Sequence, residues 1–185
     1  MEVISDANIL SSLAAADALD VLIELFPDDT IYMPPAVEQE LLVALGYGKT
    51  HVQRVIQALK NREIKRIKLT EAERMLMTTL PSNLQASKQE SIAICQARKL
   101  LFLSNHRRAI RYCEANDIQV VSLDLLLRAL WTRDILLKYQ VKELIETMAT
   151  VEQLTLKQSQ HDLIFAPLPS APPSRPPHRR RHRRR

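Results

Sequence analysis

Cysteine is scarce: Cys95 and Cys113 are the only two in 185 residues. Two thiols cannot build the disulfide framework of a small secreted domain. Neither has a His or Cys partner at zinc-like spacing, so both are expected to be buried and reduced. Glycine is equally scarce, with Gly46 and Gly48 the only pair. No apolar run approaches the ~20 residues of a membrane span, so no membrane association is expected. The opening MEVISDANIL has no basic segment leading into a long apolar one. It therefore does not read as a signal peptide, and the protein is expected to be cytoplasmic.

What is present fits a single globular domain, large enough to need no disulfide or metal staple. The hydrophobic fraction of 46% and charged fraction of 25% are ordinary for such a fold. The formal charge of +5 is misleading, because PLPSAPPSRPPHRRRHRRR at the end holds seven Arg and no acid. The rest carries 19 Lys+Arg against 21 Asp+Glu and does not advertise a nucleic-acid surface. The tail, 167–185, is expected to be disordered: it has little apolar surface and its cations repel one another. Such a tail holds phosphate backbones without sequence preference and, lacking aromatics, does not stack on bases. The plainer alternative is an extension without selected function.

Hydrophobic patterning alternates strands with helices. Val3 to Ser5 reads as a strand, and NILSSLAAADALDVLIELF as a helix with Leu10, Leu13, Leu19, Leu22 and Leu25 near one face. Thr30 to Met33 is a second strand; Pro34 and Pro35 then open a helix that stops near Gly46 and Gly48. Residues 50–60 read as helix and Ile64 to Leu69 as an edge strand. Thr70, with Glu71 and Glu73 behind it, starts another helix. Ser87 and Glu90 match a capping box, predicting a helix over about 88–99. Leu100 to Ser104 is an apolar strand, followed by helix over 106–115, strand from Ile118 to Val121 and helix over 123–133. The pattern implies an α/β fold with a central parallel sheet. The expected organisation is a domain over 1–133, a helical extension over 134–166 and the tail.

In open parallel sheets, sites lie beyond the carboxyl ends of the strands. Asp6 and the pair Ser104-Asn105 stand at such ends. Glu40 and Glu90 lie on the helices after the second strand and before the fourth. Gathered together, these carboxylates need cations to neutralise them, and Mg²⁺ or Mn²⁺ suits oxygen ligands. Taken alone, each has a plainer reading: Asp6 as a helix cap, Glu40 and Glu90 as solvated helix charges, Asn105 as a turn residue.

The order of VISDANIL, PPAVEQEL and ESIAICQARKLLFLSNHRRAIRYCEANDIQVVSLDLLLRAL resembles the PIN-domain family over about residues 2–133. The resemblance implies a PIN-like three-layer fold, with the sheet flanked by helices. It implies a metal-dependent ribonuclease, with Asp6, Glu40 and Glu90 on Mg²⁺ or Mn²⁺ and Asn105 at the fourth acidic position. Asn8 and Ser104 would support the site, and Arg107, Arg108 and Arg111 could grip RNA phosphates. Hydrolysis would then be in-line attack by a metal-bound water. The implied partners are RNA, an antitoxin protein if the chain is the toxin of such a pair, and a second copy in a homodimer. Lys88 stands where many relatives have the first Glu of G-E-A-E-A, and Asn105 where many have Asp. These departures motivate the alternative, a catalytically weakened PIN-like nucleic-acid-binding or scaffold protein. A response-regulator-like domain also has acids at strand ends, but no suitably placed strand-end lysine completes that pattern.

Overall fold

The computed structural model describes residues 2–167. Met1 and residues 168–185, and with them the disorder expected of the tail, lie outside the described residues. Five short strands form one parallel sheet: Val3–Ser5 (β1), Ile31–Met33 (β2), Lys65–Arg66 (β3), Leu101–Leu103 (β4) and Val120–Val121 (β5). Their order is β3-β2-β1-β4-β5. The chain therefore winds outward from β1 in one direction, then crosses back to β4 on its other side. The switch point lies between β1 and β4, where Val3, Ile4 and Ser5 face Leu101, Phe102 and Leu103 in register.

Helices cover both sheet faces, giving the expected three layers. Val3, Ile31, Met33, Leu101 and Leu103 point into the larger core cluster. That cluster is completed by Ala7–Ala15 (α1), Leu19–Leu25 (α2), Pro35–Gly46 (α3), Gln53–Lys60 (α4), Leu123–Thr132 (α8), Lys138–Glu152 (α9) and Gln158–Phe165 (α10). Ile4, Tyr32, Phe102 and Val120 point the other way. They meet Glu71–Met77 (α5), Ala86–Arg98 (α6) and Arg107–Ala115 (α7). This alternation is the two-residue period of strands, and it explains why the strands other than the charged edge strand β3 read as apolar runs.

The extension shares this core. Val141, Ile145 and Met148 of α9 and Ile164 of α10 are buried in the larger cluster. Trp131 Nε1 donates to the Ile164 carbonyl at 2.7 Å, and Arg128 donates to the Leu163 and Ala166 carbonyls. Lys138 Nζ lies 4.0 Å from the centre of the Trp131 ring, a cation–π contact.

Some elements differ from the sequence pattern. The first predicted helix is two, α1 and α2, separated by Asp17 at φ 51. Aspartate tolerates this left-handed conformation, and the turn brings Leu19, Leu22 and Leu25 onto the core. The strand expected from Ile64 to Leu69 pairs only at Lys65–Arg66, as befits a sheet edge. Thr70 and Glu73 do form a reciprocal capping box. Ser87 and Glu90 do not: α6 begins at Ala86 behind Gln85, and both side chains reach α3 instead.

Cys95 and Cys113 are free and buried. Burial pushes the Cys95 thiol well above its usual range and raises the Cys113 thiol to about 12. Neither is a thiolate at neutral pH, so a disulfide-exchange reagent is expected to react with neither in the folded protein and with both after unfolding. Rapid labelling of either native thiol would contradict this packing.

Candidate functional site

The switch-point crevice is built by the two strand ends. Asp6 follows β1 directly and is fully buried. Its Oδ1 accepts from the Ile9 amide at 2.9 Å, capping α1, and its Oδ2 accepts from Ser104 Oγ at 2.6 Å. Ser104 follows β4 directly, so this bond ties the two strand ends together. Burial pushes the Asp6 carboxyl above its ordinary range, against the opposing pull of Lys88, Ser104 and the Ile9 amide.

Lys88 controls the electrostatics. It lies in the first turn of α6 and has no exposed surface. Its Nζ stands 3.0 and 3.2 Å from the two carboxylate oxygens of Glu40, and 3.3 Å from Ser87 Oγ. Ser87 Oγ in turn donates to Glu40 at 2.5 Å. Glu40 comes from α3 and keeps a third of its side chain exposed. One buried cation thus serves Glu40 directly and Asp6 through space.

Glu90 also reaches α3, but at a different point from Lys88. Glu90 accepts from the Ala36 amide at 2.8 Å, satisfying a free donor at the start of α3. It lines a separate groove with Pro35, Lys68 and Arg74.

Asn8, Glu40 and Asn105 line one cavity of about 280 Å³ at the crevice mouth. Asn105 also borders a neighbouring recess with Arg107 and Lys157. Arg107, Arg108 and Arg111 are exposed on α7. His106, in contrast, caps α7: its Nδ1 accepts from the Ala109 amide.

Sequence reasoning missed a second cluster at this cavity. Glu152, the last residue of α9, lies in the cavity wall with only 8% of its side chain exposed. Ser11 and Ser12 donate to it, His51 Nε2 lies 3.0 Å from Oε1, and Lys49 stands at 3.4 Å. Burial alone would raise the Glu152 carboxyl, but these partners together hold it below its usual range. The members come from distant positions, so no local spacing announces them. The only signal was the polar pair Ser11-Ser12 within an apolar helix. Ser, His and Glu are the residue types of a hydrolytic triad, but the wiring differs. One ring nitrogen faces both Ser11 and Glu152, and Ser11 donates directly to Glu152, so no free base is left to activate the hydroxyl. The cluster fastens the extension to α1. Glu152→Ala is expected to cost about 2 kcal/mol in urea unfolding by stranding several buried donors.

The donor set does not fit a divalent metal. Among the described residues no three His, Cys, Asp or Glu stand where they could hold an ion. Both Asp6 oxygens accept hydrogen bonds, Glu40 holds an ammonium, and Glu90 serves a helix start. Among the described residues no helix is long and apolar enough to cross a membrane.

A family model described as a PIN domain, DUF3368, matches residues 2–165. A chain in the crystal structure of VapBC2 from Rickettsia felis bound to a promoter DNA fragment has a similar fold, with a TM-score of 0.53 and 14% identity. The match covers 66% of this chain and 98% of that one. No curated protein matches the sequence.

Proposed function

The chain belongs to the PIN-domain family, and from that premise we propose that it is an RNA-binding member in which divalent-metal hydrolysis is suppressed. The observation that carries this reading is Lys88 Nζ, fully buried and 3.0 Å from Glu40 in the strand-end crevice. An RNA phosphate approaching Asp6 and Glu40 would meet repulsion from two carboxylates, and the Lys88 charge offsets part of it. Asn8 and Asn105 offer neutral donors at the mouth, Lys49 lines it, and Arg107 and Lys157 add positive charge in the neighbouring recess that Asn105 also borders. Arg108 and Arg111 continue that face along α7, and the Arg-rich tail adds affinity without sequence preference.

The competing reading is a metal-dependent ribonuclease with Mg²⁺ or Mn²⁺ on Asp6, Glu40 and Glu90. It draws on the placement of Asp6 and Glu40 at one crevice. Labelled single-stranded RNA incubated with Mn²⁺, Mg²⁺ or EDTA separates the two. We expect RNA to be retained equally in all three, weakening steeply with salt, and to remain intact. The double variant Arg107→Ala, Arg111→Ala, with the tail unchanged, is expected to weaken binding about tenfold by removing two phosphate contacts. Mn²⁺-dependent cleavage lost in Asp6→Asn would establish the competing reading instead.

The family resemblance also brings an antitoxin-like protein into the proposal as a partner. Leu42 and Val43 of α3 and Tyr47 just after it give it exposed apolar side chains to cover, Tyr47 being 87% exposed.

A further inference from the structure

We propose that Lys88 is a built-in counter-cation that takes the place of a divalent metal in the strand-end crevice, so that the charge at position 88 sets whether Asp6 and Glu40 can hold one. This deepens the RNA-binding reading and rests on it only for the pocket's role. The metal test below stands apart from RNA.

A carboxylate cluster at strand ends must be neutralised, and a buried one most of all. Here the neutralising charge is covalent. The Lys88 ammonium has no exposed surface, lies within hydrogen-bond distance of both Glu40 oxygens, and is the main electrostatic counterweight to burial at Asp6. Ser87 and Ser104 complete the hydrogen bonding of the two acids. With the cation supplied by the chain, a free ion would gain only what remains of Glu40's exposed edge and would meet Lys88's repulsion. The partners that α6 finds on α3 add a second reason. Position 88 faces Glu40, whereas Glu90 points to the start of α3. The third ligand that a metal would need is therefore absent because the pocket-facing residue of α6 is itself a cation.

Lys88→Glu exchanges that cation for an acid facing Asp6 and Glu40. Mn²⁺ titration followed by electron paramagnetic resonance, with thermal unfolding in parallel, reads the outcome. The wild type is expected to show no Mn²⁺ binding that depends on Asp6. Lys88→Glu is expected to bind Mn²⁺ more than about a hundredfold tighter than the wild type, beyond the range seen for lost supporting contacts at metal sites. Its melting temperature should rise with Mn²⁺ concentration, as ligand linkage requires.

Without metal, three acids repel and Lys88→Glu can fail to fold, so Lys88→Gln serves as a second variant. It removes the competing charge and adds none, and is expected to gain weaker Mn²⁺ binding that disappears with Asp6→Asn. The proposal is overturned if the wild type binds Mn²⁺ in an Asp6-dependent manner. That outcome is readable even if neither Lys88 variant folds. It is overturned equally if the variants fold and gain no Mn²⁺. Loss of RNA binding in the wild type would sink the functional reading and leave the metal result standing.

Discussion

Lys88→Ala is expected to lose about 3 kcal/mol of folding stability at neutral pH, the lower end of what breaking a buried ion pair costs. The lower end applies because Glu40 keeps a third of its side chain in solvent. Asp6 has no such relief. It is fully buried, and burial already lifts its carboxyl above the ordinary range with Lys88 pulling the other way. Removing the ammonium lifts it further. A carboxyl with a raised folded pKa favours the folded state when protonated, so its cost is greatest at neutral pH and fades as pH falls toward the raised value. The deficit of Lys88→Ala relative to wild type should therefore shrink on acidification from pH 7. Asp6→Asn in the Lys88→Ala background should recover part of it. Urea unfolding across pH measures both, and a deficit independent of pH would show that Asp6 does not depend on Lys88.

Glu73→Ala should cost a similar amount, about 3 kcal/mol, for a different reason. Glu73 is buried at the start of α5 and accepts from Arg98 Nε at 2.6 Å and from a second guanidinium nitrogen at 2.8 Å. It also accepts from the Thr70 amide at 2.7 Å, closing the capping box. Its loss removes the ion pair and the side-chain half of the capping box together, unhooking α5 from α6, while Thr70 still caps the residue-73 amide. The Arg98 hydrogen bonds hold the Glu73 carboxyl below its usual range, against burial. A depressed carboxyl contributes stability that is complete above the ordinary pKa and is lost as pH falls through the folded value. Wild type and Glu73→Ala should therefore converge in acid and diverge toward neutrality. Arg98→Ala should reproduce most of the loss. Parallel stability curves across that range would place the stabilisation elsewhere.

The two acids differ in how visible they were. Thr70 to Glu73 is local, so the cap could be read from four consecutive residues. The strands were readable for a similar reason: both sheet faces are covered, leaving uninterrupted apolar runs such as Leu100 to Leu103 that end in polar residues. Asp6 and Ser104 stood out as strand ends, and the fold then set them 2.6 Å apart. The facing of α6 was not legible. Ser87 and Glu90 match a capping box by spacing, yet tertiary partners claim both: Glu40 takes Ser87, and the Ala36 amide takes Glu90. Lys88 and Glu90 both reach α3, and only the packing of α6 against α3 sets Lys88 on Glu40 and Glu90 on the Ala36 amide. Glu152 was invisible because its partners Ser11, Ser12 and His51 are separated from it by 100 residues or more. Such a cluster exists only once α9 has docked on α1.

Diffraction from wild-type crystals soaked in Mn²⁺, recorded at a wavelength where manganese scatters anomalously, tests the charge-compensated crevice most directly. We expect no anomalous peak between Asp6 and Glu40, and clear density for the Lys88 ammonium against Glu40. A manganese peak ligated by Asp6 and Glu40, with Lys88 turned out of the crevice, would contradict it and return the metal-dependent nuclease to first place.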